Sequence, residues 1–168
     1  MLTQLCRSLD PIRLVSANDG WEQTESDICA LHDYAAEGEV IHKHFDSREQ
    51  VEQTACDHRM CYAQGAQYTG KEAFLITEYG GIAMSSKGIQ ENMSGMQTWG
   101  YHDKVQDEEA FLKRFASVTD AIRELPYCQG YCYTQLTDVE QEKNGLYDEH
   151  RNPKLPSLHC AKSSGNRA

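Results

Sequence analysis

Four short apolar runs limit the fold of this chain more than any other feature: RLVSAN from Arg13, ICALHDY from Ile28, AFLITEYGG from Ala73 and GYCYTQLTDVE from Gly130. Each has the length of a strand and is rich in β-branched and aromatic residues. Their apolar character is nearly continuous rather than alternating, as expected of strands covered on both faces in a parallel sheet. Each run also ends in polar or acidic groups.

Helical patterns lie between these runs. Phe111, Phe115, Val118, Ile122 and Leu125 repeat at spacings of four and three, which predicts one amphipathic helix over residues 107–125. Asp107 is placed to cap its start, Glu108 and Glu109 oppose the positive end of its dipole, and Pro126 stops it. Ser47 and Gln50 form a capping-box pattern ahead of Val51 and Ala55, predicting a second helix from Ser47. Leu2 to Leu9 read as the end of a further helix, closed by Asp10-Pro11. Residues 84–105 carry Gly, Ser, Met and polar groups with no clear period, and are expected to form a long loop. The order is helix end, strand, short connection, strand, helix, strand, long loop, helix, strand, tail. That order predicts an α/β architecture with parallel strands, entered mid-architecture.

Charge and cysteine content narrow the function. With 26 acidic against 16 basic side chains and a formal net charge of -10, the chain is a poor partner for nucleic acid, which demands clustered Lys and Arg. Neutral or cationic ligands are easier to accommodate. No run approaches the roughly 20 apolar residues of a membrane helix, and residues 1–10 lack the pattern of a signal peptide, so a cytoplasmic location is expected. The seven cysteines are odd in number and are expected to be mostly reduced. Cys56 with Cys61, Cys128 with Cys132, and His159 with Cys160 are conceivable zinc ligands. Neither cysteine pair has the tight C-x2-C spacing of a structural site, so no metal is expected. Cys29 and Cys132 lie in apolar runs, where a free thiol behaves as a small buried hydrophobe.

The sharpest chemical feature is Phe74 to Gly81, an apolar strand that delivers Glu78 at its C-terminal end just before Gly80 and Gly81. Active sites of parallel α/β folds gather at that edge. By itself the feature leaves two readings open, a catalytic carboxylate or an ion-pair partner.

Several stretches together resemble the C-terminal half of the catalytic barrel of glycoside hydrolase family 2, which includes β-galactosidases and β-glucuronidases. They are DPIRLVSANDGWEQTESDICALHDY from Asp10, LITEYGG from Leu75, WGYHD from Trp99 and PYCQGYCYTQLTDVEQEKNGLYDEHRNPK from Pro126. The match runs from about Leu5 to Lys154, so residues 1–154 are expected to form half of a (β/α)8 TIM barrel, approximately strands five to eight, with 155–168 a disordered tail. A barrel of about 250 residues averages roughly 31 per unit, so four units and one long loop suit this length.

The resemblance implies a retaining β-glycosidase that uses no cofactor and has two carboxylates about 5 to 5.5 Å apart. It implies Glu78 as nucleophile, held by Tyr34 or Tyr79. The family's acid/base Glu, in an Asn-Glu pair ending the fourth barrel strand, has no counterpart in these 168 residues, nor do the family's N-terminal β-sandwich domains. Substrate contacts are expected from Asn18, Asp19, Trp21, His32, Tyr34, Tyr79, Trp99, Tyr133 and Gln135, since planar polar groups accept sugar hydroxyls and rings stack on apolar sugar faces. Taken singly, these residues also fit helix capping, loop packing or, for His32, a structural histidine. Glu22, Glu140 and Glu142 are the candidates for a replacement acid, with solvated loop charge as the plainer reading. The fourth run departs from the large β-galactosidases and β-glucuronidases, carrying Tyr133 and Thr134 where they place a tryptophan, which leaves the sugar open. A β-glycoside and the missing half of the barrel, or a second copy of the chain, are the expected partners. The rival reading is a non-catalytic carbohydrate-binding or assembly half.

Overall fold

The computed structural model describes residues 2–56, 58–85 and 99–155. They fall into two compact units, residues 1–80 with 114–133 and residues 81–113 with 134–168.

The first unit is built on a three-stranded sheet of β1 (Ile28–Asp33), β4 (Ala73–Gly80) and β7 (Cys128–Thr134), in the order β1-β4-β7. β1 and β4 run parallel, as the apolar runs predicted. Between them come α2 (Gly38–Phe45), α3 (Arg48–Gln53) and a short antiparallel hairpin of β2 (Ala55–Cys56) and β3 (Arg59–Met60). Helix α4 (Glu108–Glu124) precedes β7 and keeps the predicted cap, with the Ala110 N–H donating to Asp107 Oδ1 at 2.9 Å. At α3, the Ser47 N–H donates to Gln50 Oε1 at 2.8 Å, half of the predicted capping box. That helix stops at Gln53, and Ala55 opens the hairpin instead.

The strand apolarity was expected to reflect cover on both faces, but only one face is closed. Cys29 and Leu31 of β1 and Phe74 and Ile76 of β4 are fully buried with Ile41, Phe45, Val118 and Ile122 from the helices. The rings of Phe45 and Tyr127 pack edge-on to Phe74 at 5.4 and 5.0 Å, and the Tyr127 hydroxyl donates to the Phe45 carbonyl. The alternate positions, Ile28, Ala30, Leu75 and Thr77, line an open cavity of about 420 Å³ with Ser16, Asn18 and Asp19.

Two further expectations change. The run from Arg13 forms no strand, because side chains occupy its backbone groups. Val15 donates to Asp27 Oδ2 at 2.8 Å and Ala17 donates to Ser26 Oγ at 3.1 Å. Only Gly20 pairs with β1, through Leu31. Helix α1 (Leu2–Leu9) ends as expected at Asp10, whose Oδ1 accepts the Ile12 and Arg13 N–H groups.

The second unit carries β5 (Ile82–Met84) paired in parallel with β6 (Tyr101–Val105), where a continuous loop was expected. The middle of that loop, 86–98, and the predicted tail from 156 onward lie outside the described residues, as does the His159-Cys160 pair. Residues 137–153 are held by isolated bridges, and Lys154 reaches Asp138 Oδ1 at 2.5 Å. No described helix is long and apolar enough to cross a membrane.

Candidate active site

At the C-terminal end of the β1–β4 pair the register slips by one residue. Leu31 pairs with Ile76, but His32 pairs with Glu78, leaving Thr77 as the extra residue of a β-bulge. Thr77 and Glu78 therefore both join the polar cluster around His32 instead of alternating across the sheet. The Tyr34 hydroxyl donates to Glu78 Oε2 at 2.6 Å, and His32 Nδ1 lies 3.7 Å from the same oxygen. The Thr77 hydroxyl donates to Asp19 Oδ1 at 2.5 Å. Glu78 keeps 38% of its side chain exposed, whereas His32 and Tyr34 are buried, so a solvent-accessible carboxylate is held by enclosed neighbours.

His32 is the hub. Its Nδ1 is 3.3 Å from the Tyr34 oxygen, and since the single Tyr34 proton goes to Glu78, a bond there requires Nδ1–H as donor. Its Nε2 is 3.3 Å from Asp19 Oδ1 but off the bonding direction, so that buried nitrogen makes no hydrogen bond. Trp21 packs edge-on to the imidazole at 4.8 Å, and its buried Nε1 also lacks a hydrogen-bond partner. The ring fits because residue 20 is glycine: φ is +93°, and a Cβ there would sit 2.9 Å from His32 Nδ1. Gly80, at φ +89°, brings the backbone against the Tyr133 ring, where a Cβ would lie 2.3 Å from a ring carbon.

The expected contacts thus divide. Asp19, Trp21, His32, Tyr34 and Glu78 come together. Asn18 lies beside them, its Nδ2 donating to the Trp21 carbonyl at 2.5 Å, and Tyr133 covers Gly80. Tyr79 does not join them. It follows Glu78 on the strand and points to the helix-covered face, 2% exposed, with its hydroxyl 2.9 Å from Thr119 Oγ1. Burial pushes its phenol above the usual range. It is a core residue, and Tyr34 alone of the two tyrosines holds the carboxylate.

Trp99 and Gln135 belong to the second unit. There Trp99 is 46% exposed and edge-on to Tyr101 at 5.7 Å, and Gln135 Nε2 reaches the Glu142 carbonyl at 3.5 Å. Of the replacement acids, Glu22 lines a different cavity with Arg59 and Tyr62, and Glu142 Oε1 accepts from Asn144 at 3.0 Å. Glu140 is exposed in the second unit. Sequence reasoning missed Thr77, which shares the open face with Leu75 by simple alternation; the bulge then brings Glu78 onto that same face.

A strand-end carboxylate, a phenol hydroxyl, an imidazole whose Nε2 is unpartnered and the unpartnered Trp21 Nε1–H gather beside an open sheet face. No protein-family model matches the sequence, and no curated protein matches it. Among solved structures, the chain is similar to a family 2 glycoside hydrolase, the β-galacturonidase of Eisenbergiella tayi bound to galacturonate, with 22% identity and a TM-score of 0.52. The similarity covers 91% of this chain and 27% of that one, so the chain spans about a quarter of the length of the protein it matches. The likeness is one of fold.

Proposed function

We propose that this chain is the nucleophile-bearing part of a retaining β-glycosidase barrel, with Glu78 as nucleophile and the acid/base carried on a segment outside these 168 residues. The observation that carries the reading is the Glu78 carboxylate at the end of β4, fixed through Oε2 by Tyr34 at 2.6 Å and flanked by His32. With Oε2 held, Oε1 attacks the anomeric carbon. The glycosidic C–O bond breaks as the ester to Glu78 forms, and the departing oxygen takes its proton from the external acid. Water then cleaves the ester. Asp19, His32 and Trp21 supply hydroxyl contacts and an apolar ring face. Residues Asn18 and Tyr133 border the same site, and Trp99 and Gln135 are proposed sugar contacts carried by the second unit. The fold shared with a family 2 glycosidase supports this assignment, and the substrate class is a β-glycoside of open sugar identity.

The cellular setting belongs to the same proposal: a cytoplasmic protein with a carbohydrate substrate and no nucleic-acid or membrane partner. It would assemble with a polypeptide supplying the remaining strands, or with a second copy. The test is incubation with activated 2-deoxy-2-fluoro β-glycosides followed by peptide mass analysis. Label on Glu78, absent in Glu78→Gln, is the expected result, without turnover of aryl β-glycosides by the chain alone. Label on another carboxylate overturns the nucleophile assignment, and turnover by the chain alone overturns the external acid. Sugar affinity with no labelling at all would favour the non-catalytic binding half.

A further inference from the structure

We propose that Asp33, His44, Cys56 and Cys61 form a binding site for zinc, or a divalent metal of similar softness, that ties the end of β1 to α2 and to the β2–β3 hairpin. The site stands apart from the reading of Glu78 and does not depend on it. Asp33 Oδ2, His44 Nδ1 and Cys56 Sγ all lie within 4.8 Å of one another. Individual separations are 2.5 Å from His44 to Asp33, 3.4 Å from Cys56 to Asp33 and 4.0 Å from Cys56 to His44, with Cys61 Sγ 3.8 Å from Cys56 Sγ.

In a tetrahedral zinc site with bonds of about 2.0 to 2.3 Å, donor atoms stand roughly 3.3 to 3.8 Å apart. The two sulfur atoms and the sulfur–carboxylate pair already have that spacing, and the sulfur–imidazole pair is slightly wide. Of the four separations given, the His44–Asp33 one is too short, as a hydrogen-bonded pair must be before a cation replaces its proton, and Cys61 is placed by its sulfur contact to Cys56 alone.

Burial argues the same way. Asp33, Cys56 and Cys61 are almost wholly enclosed, whereas His44 stands at the rim with a quarter of its side chain exposed, which leaves an entry path. Three groups that carry negative charge when ionised share one imidazole, and water reaches none of the three freely. Thiolate, imidazole and carboxylate together suit zinc and exclude magnesium or calcium. The remaining Asp33 oxygen accepts the Ala35 N–H at 2.8 Å, which fixes the carboxylate plane from behind. The C-x4-C spacing of the cysteines looked unpromising because the other two donors come from β1 and α2.

Titration of the reduced, metal-free 168-residue chain with Co²⁺ tests the site. The expected result is one equivalent bound, with intense tetrahedral d–d absorption and a thiolate-to-cobalt charge-transfer band, both removed by Zn²⁺. The spectrum should be lost in Cys56→Ser and kept in Cys128→Ser. If Cys56→Ser does not fold, His44→Gln at the rim serves instead: helix content by circular dichroism is retained while Co²⁺ affinity falls about tenfold or more. Absence of the charge-transfer band in the reduced wild-type chain overturns the site. So does its persistence in folded Cys56→Ser, its loss in Cys128→Ser, or unchanged affinity in His44→Gln.

Discussion

Single atoms decide the behaviour of the Glu78 cluster. Tyr34→Phe removes the hydroxyl that fixes Oε2. It is expected to slow fluoro-glycoside labelling of Glu78 by about 10- to 100-fold, because the attacking carboxylate loses its alignment. The fold should be retained, since the Tyr34 ring stays buried. Labelling kinetics with parallel circular dichroism check both points. Gly80→Ala is a stability test: φ +89° and the Tyr133 ring 2.3 Å from the added Cβ leave nowhere for the methyl group. About 1 to 3 kcal/mol of destabilisation is expected in urea unfolding. Much at this scale was legible in the sequence. Glu78 stood out because a strand followed by two glycines can present a carboxylate at an edge, and His32 and Tyr34 ended a run that pairs beside it. Tyr79 was misread because simple alternation from Leu75 and Thr77 puts it on the open face, and the bulge turns it to the helix-covered one; Cys132, expected to be buried, is exposed.

Elements in this chain are held by local chemistry as much as by the core. Arg7 of α1 pairs with Glu25 and with Asp27 at 2.7 Å, and Asp27 also accepts the Val15 N–H. That backbone bond, then the Arg7 bond, holds the Asp27 carboxyl below its usual range. A folded-state pKa lowered in this way contributes stability above the unfolded value of about 3.8, lost as pH falls through the lower folded value. Hydrogen exchange at Val15 should therefore accelerate in that acid window, and Asp27→Asn should remove the pH dependence. In the core, Phe74→Ala is expected to cost about 3 to 5 kcal/mol by denaturant unfolding, since Phe45, Tyr127 and Tyr68 all pack on that ring. Helix α4 was readable because its apolar spacing is unbroken over four turns. Helix α2 was not, because Glu37 provides no side-chain cap and His42, Lys43 and His44 leave little apolar pattern between Val40 and Phe45. The Arg13 run deceived for the opposite reason, as its apolar side chains suited a strand while Ser26 and Asp27 took its backbone bonds.

At the scale of the whole molecule, the largest exposed apolar side chains concentrate at the start of the chain: Leu2, Leu5, Leu9, Ile12 and Leu14 are each more than half exposed. Such a surface drives association as concentration rises. Sedimentation velocity of the wild type is expected to shift with concentration, and Leu5→Glu with Leu9→Glu to abolish that shift. The fold shared with about a quarter of a much longer glycosidase fits a chain whose sheet keeps one face open. The bulge at Thr77 has its own bearing on engineering. A strand segment carrying Leu75 to Gly81, transplanted onto a regularly paired host sheet, would lose the one-residue phase change and could not seat Thr77 and Glu78 together beside the histidine. A donor graft of this strand must therefore carry the irregular pairing of β1 with it, or the recipient inherits the motif's letters without its aim.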